Sequence, residues 1–156
     1  MKPVKLLNTG PEYYKAHPRG IECIEVSSQL SFDLGNAIKY LWRAGQKPGE
    51  GYVRDLKKAE WYIRFAMINA VPHQEQPVGK ALIGWVISKW RANSAPKFDV
   101  ATIVSGFQGD VAEAMRIVLV YDMQPAWGKD TWMLAQAILC IKTAIRDSVN
   151  GGHAPA

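Results

Sequence analysis

The chain has 156 residues, 48% of them hydrophobic, and a formal charge of +5, which suits one domain with a real core and excludes a natively disordered chain. The basic excess is mild and its Lys and Arg are spread along the chain, which points to anionic partners but argues against nucleic acid as the main ligand. Two distant cysteines, Cys23 and Cys140, exclude a disulfide framework or a zinc pattern and fit a reduced cytoplasm, and no apolar run approaches the length of a membrane span.

Residues 1–19 read as a loop or extended arm. Pro3, Pro11 and Pro18 punctuate it, a proline disfavours helix in the residue before it, and the stretch lacks the apolar run of a secretory signal. The alternation in IECIEV, 21–26, fits a strand. With no partner strand evident nearby, a short helix running to Leu30 is the better reading. Ser31 is a suitable N-cap for the next helix. On a 3.6-residue period Leu34, Ala37, Ile38, Leu41 and Trp42 share one arc, which predicts a helix over 35–45 with that arc in the core and Gly45 as its terminating glycine.

A second long helix is predicted over 52–69. Leu56, Ala59, Ile63 and Met67 form one apolar stripe, and Trp61, Phe65 and Ile68 form another on roughly the opposite side. Two apolar faces imply burial between layers or a shared subunit boundary, so a homo-oligomer is expected. Residues 71–79 are a proline-flanked connection, 80–92 a helix carrying Leu82, Trp85, Val86 and Lys89 at one spacing, and 94–99 a break. A short helix over 99–105 precedes a segment at 109–122 with Val111, Met115, Val118 and Leu119 inward; its β-branched run 117–121 fits a strand as well. After a turn at 124–129, Asp130 caps a last helix ending near Ser148, with Ala135, Ile138, Leu139, Lys142 and Ile145 on one side. The expected fold is mainly α, a compact helical bundle with room for one short strand pair. Residues 1–70 form an N-terminal helical region with its arm, 71–150 pack on it as one domain, and 151–156 are a disordered tail.

Chemistry is sparse. Asn36, Lys39, Tyr40 and Arg43 follow i, i+3, i+4, i+7 and so form one polar line on the helix 35–45. Lys39 and Arg43 suit phosphate, Asn36 a base or sugar, and Tyr40 stacking; spacing alone equally describes a solvated helix face. The following loop, with Lys47, Gly49 and Gly51, resembles a phosphate-contacting turn only loosely, since neither a P-loop nor a dinucleotide-binding glycine pattern occurs. Asp55, Lys57, Lys58 and Tyr62 add further polar groups on the next helix, divided evenly between a functional role and plain surface charge. Glu22 and Glu25 read as exposed helix charges, His17 as a surface histidine, and Cys23 and Cys140 as core cysteines. His17, His73 and His153 have no paired spacing, so no metal site is expected. Trp85, Trp90, Trp127 and Trp132 read as core or interface anchors.

The run GIECIEV, then SFDLGNAIKYLWRAGQKP, then DLKKAEWYI resembles a family of small phage-encoded proteins of unassigned function, some of which are regarded as nucleotide kinases of the T7 type. The resemblance covers residues 12–66, with GNAIKYLWRAG its most distinctive part. Where the family often has His-Tyr ahead of Gly-Ile, this chain has Tyr13-Tyr14, so Tyr14 matches the tyrosine and Tyr13 replaces the histidine; His17 is a nearby but unaligned substitute.

The resemblance implies a phage nucleotide-metabolism protein in the cytoplasm of an infected bacterium, binding a (deoxy)nucleotide and transferring a phosphoryl group to a nucleoside monophosphate. Lys39, Arg43 and Lys58 are the candidates for neutralising the transferred group. Asn36, Tyr40, Lys47, Tyr62 and Tyr14 complete the expected ligand contacts. ATP or another nucleotide would be substrate or ligand, with no tightly bound cofactor. Two alternatives stand beside this: a non-catalytic protein that sequesters a nucleotide in phage counter-defence, and an inhibitor that docks on a host complex through its tryptophan-rich C-terminal half.

Overall fold

The computed structural model describes residues 10–49, 51–70, 99–124 and 130–151. The helix expected over 80–92, residues 125–129 of the expected turn, the tail 152–156, and Trp85, Trp90, Trp127, His73 and His153 lie outside these residues.

A single 3-10 turn, Glu12–Tyr14, leads into α1 (Cys23–Ser27). The Glu22 N–H at the start of α1 donates to the Glu25 carboxylate at 3.0 Å, so that acidic pair acts as a helix cap. Next come α2 (Phe32–Arg43), α3 (Tyr52–Ala70), α4 (Val100–Val104), α5 (Gly109–Met123) and α6 (Thr131–Val149). No strand occurs among the described residues, so the strand pair is not formed there.

α2 packs along α3, α5 packs along α6, and α6 closes against α3, with α2 also touching α5. The arc Leu34, Ala37, Ile38, Leu41 and Trp42 is buried as its period requires, facing Leu56, Ala59 and Ile63 of α3. Gly45 terminates the hairpin's first arm in the left-handed region at φ +80°, where a side chain is strained. Ser31 occupies the N-cap position of α2, but its hydroxyl and N–H donate to Asp122 of α5 at 3.0 and 2.9 Å, tying the two layers together. Gly35 permits the tight α1–α2 corner: a Cβ there would lie 2.6 Å from the Ser27 carbonyl oxygen.

Three expectations change. Residues 117–121 are helical, because Ile117, Val118, Leu119 and Tyr121 are all buried and a helix apolar nearly all round loses its periodic signature. The core face of α6 is Leu134, Ala137, Ile138, Ile141 and Ala144, while Leu139 and Lys142 are exposed. Small residues at 137 and 144 let α6 approach its neighbours, which a hydrophobicity count favouring Leu139 misses. His17 is buried rather than on the surface. Its Nε2–H donates to the Ile103 carbonyl at 2.9 Å and its Nδ1 accepts the Arg19 N–H at 3.2 Å. The ring packs on Trp42 and Phe107, and a Cβ on Gly106 would stand 2.4 Å from it, so this histidine latches the arm to α4.

Candidate functional site

The α2–α3 hairpin gathers most of the polar residues singled out by sequence. Tyr40, in the third turn of α2, stacks on Tyr62 of α3 with ring centroids 5.7 Å apart and planes 20° apart. Three cations surround the Tyr40 ring: the Arg43 guanidinium carbon lies 4.7 Å from its centroid, Lys58 Nζ 5.3 Å and Lys39 Nζ 5.8 Å. Lys39 and Arg43 arrive from α2 at i−1 and i+3 of the tyrosine, and Lys58 crosses from α3.

Beneath them lies Asp55, fully buried at 0% exposure. Its Oδ1 accepts from Arg43 Nη2 at 2.8 Å and stands 3.9 Å from Lys58 Nζ. Arg43 is itself 6% exposed, and its Nη1 donates to the Tyr14 hydroxyl at 3.3 Å. Burial works against the guanidinium charge, yet the hydrogen bonds to Asp55 and Tyr14 hold its pKa above the ordinary value. Arg43 therefore joins the arm to both helices from beneath the ring, and Lys39 and Lys58 are the half-exposed cations beside it. Among the described residues, Asp55 is the carboxylate that meets these cations.

The other expected positions spread outward. Asn36 sits one turn before Tyr40 and gives its amide N–H to the Phe32 carbonyl at 2.8 Å. Lys47 is half-buried in the turn that follows α2. His17 packs on Trp42 with both ring nitrogens engaged, by the Ile103 carbonyl and the Arg19 N–H. Cys23 is a core thiol, pushed up to about 12 by burial, and Cys140 is partly buried against the core with its thiol also raised by burial. Among the described residues no group of His, Cys, Asp and Glu could hold a metal ion. A cavity of about 10 Å³, room for one water, is lined by Val26, Gln29, Leu30, Ile103, Leu119 and Met123 and shares no residue with the cluster.

Asp55 is the residue that spacing undervalued. It stands four positions before Ala59 and eight before Ile63, in register with the buried face of α3. An acidic residue on a core face needs a buried cationic partner, and Arg43, in the last turn of α2, is the side chain in reach.

Residues 8–64 match one protein family, described as a protein of unknown function (DUF3310). The match takes in the arm from residue 8, α1, α2 and most of α3, and so contains the whole Tyr14–Arg43–Asp55–Lys58–Tyr40–Tyr62 cluster. No curated protein and no solved structure matches the chain. No helix among the described residues is long and apolar enough to cross a membrane.

Proposed function

We propose that this protein binds a (deoxy)nucleotide on the α2–α3 hairpin, with its phosphate on Lys39 and Lys58 and its base or sugar against the Tyr40–Tyr62 pair. The observation that carries this reading is the convergence of three cations on one tyrosine ring over a fully buried carboxylate. A phosphate brought to the half-exposed lysines meets two ammonium groups, while Arg43 is fixed beside them by Asp55 and Tyr14. In the kinase form of the proposal, a phage nucleotide-metabolism enzyme, the same cations neutralise a phosphoryl group passing from ATP to a nucleoside monophosphate. In the sequestering form they hold the nucleotide and nothing is transferred.

One set of measurements separates these. The protein is incubated with ATP and each deoxynucleoside monophosphate, diphosphate products are sought, and nucleotide-dependent rises in melting temperature are recorded. Products support the kinase; stabilisation without products supports sequestration. Lys39→Ala and Lys58→Ala each remove one cation and are expected to weaken binding several-fold, more at low salt than at high salt. Unchanged binding in both variants, or no stabilisation by any nucleotide in the wild type, refutes the site. A protein-docking role is the second reading, favoured by the exposed Trp61 and Trp132. It predicts neither products nor nucleotide stabilisation.

A further inference from the structure

The second apolar stripe of α3 is neither between layers nor buried: Trp61 is 58% exposed, Phe65 43% and Ile68 70%. It is continuous with the nucleotide site. Trp61 meets Tyr62 edge-on at 4.9 Å, and Trp61 stacks on Phe65 with centroids 5.5 Å apart and planes 14° apart. Tyr40, Tyr62, Trp61 and Phe65 thus form one unbroken series of rings running from the cation cluster onto open surface.

Charge follows the same path. Over the hairpin, residues 32–70, the sequence has seven Lys and Arg against four Asp and Glu, so +3 of the net +5 belongs to it. Glu60, next to Trp61, is covered by Arg64, whose Nε and Nη2 both donate to it at 2.9 and 2.7 Å. That pairing removes the acidic repulsion a phosphate chain would meet beside the indole. An apolar protein partner would have to desolvate the surrounding cations, whereas a polyanion with flat bases satisfies both the rings and the charges.

From this continuity we infer that the hairpin accommodates a short single-stranded oligonucleotide. One phosphate sits at Lys39 and Lys58, and the neighbouring base stacks on Trp61 and Phe65. Stacking on exposed aromatics beside basic side chains tolerates any base, so binding is sequence-tolerant and weakened by salt. The inference rests on the proposed nucleotide site but adds to it a second contact outside that site.

Isothermal titration calorimetry with thymidine monophosphate and with oligothymidylates of two, four and eight nucleotides tests it, using wild type, Trp61→Ala and Phe65→Ala. Both residues are exposed, so truncation leaves the core intact, and a thermal melt of each variant verifies this. Affinity is expected to rise on the order of tenfold from the mononucleotide to the tetranucleotide, and both variants should lose that rise while keeping mononucleotide affinity. A duplex of eight base pairs should bind more weakly than the single strand. If the monophosphate binds and added length brings no gain, this inference falls and the nucleotide site stands. If nothing binds, both fall. A gain that survives Trp61→Ala, a preference for duplex, or variants that change only the oligomeric mass also overturn the inference, the last assigning the face to contact between protein chains.

Discussion

Replacing Asp55 with alanine removes the buried carboxylate beneath the cation cluster and tests whether the hairpin is held as described. The Asp55 and Arg43 side chains are 0% and 8% exposed and meet at 2.8 Å, so the pair is buried and its removal is not screened as a surface ion pair would be. Deleting one partner strands the guanidinium away from water, which costs about 3–5 kcal/mol. Lys58 also loses a partner, but at 3.9 Å and 32% exposed it can turn to solvent, adding ~0–1 kcal/mol. For a chain of this size the sum lowers the melting temperature by roughly 10 °C. Arg43→Met is expected to cost a similar amount, because it leaves the carboxylate in place. The double variant removes both charges and should be at least as stable as either single one, giving a coupling of about 3 kcal/mol or more. Urea denaturation of the four proteins measures this directly. Additive costs, or a loss below ~1 kcal/mol for Asp55→Ala, would refute the buried pair.

Other outcomes follow from single contacts. Gly35→Ala forces a methyl to within 2.6 Å of the Ser27 carbonyl oxygen and should cost about 1–3 kcal/mol by thermal melt, since backbone rather than a flexible side chain must yield. Gly106→Ala meets the His17 ring at 2.4 Å, and the arm should detach from α4, seen as faster amide exchange at Arg19. Cys23 should resist a thiol reagent in the folded protein while Cys140 reacts first. Burial raises the Cys23 thiol from 9.0 to about 12, so folding favours its neutral form. That contribution is complete below about pH 9 and declines as pH climbs towards the folded value, which a series of urea melts at alkaline pH will register.

Much of the helical framework was legible in the residues themselves. The arc Leu34 to Trp42, the terminating Gly45 and the Asp130 cap each state a local rule, and local rules operate wherever the chain finds itself: the arc is buried, Gly45 has φ +80°, and Asp130 accepts the Trp132 N–H at 2.9 Å. Where a helix is apolar on more than one side, as α5 is, periodicity cannot separate it from a strand, and only packing on both faces decided for helix. The α6 face was misjudged for a related reason, because what admits a neighbouring helix at Ala137 and Ala144 is small size, to which hydropathy is blind.

The site divides along the same line. Sequence placed Asn36, Lys39, Tyr40 and Arg43 on one helix line, a statement about 3.6-residue geometry that needs no partner. It did not tell the four apart. The tertiary structure turned Arg43 inward onto Asp55 and Tyr14, set Lys39 and Lys58 beside Tyr40, and stacked Tyr40 on Tyr62. Helix geometry fixes which residues of a segment share a side. Which charges meet, which are desolvated and which are left facing water depends on what the neighbouring helix presents, and that is settled only when the helices pack.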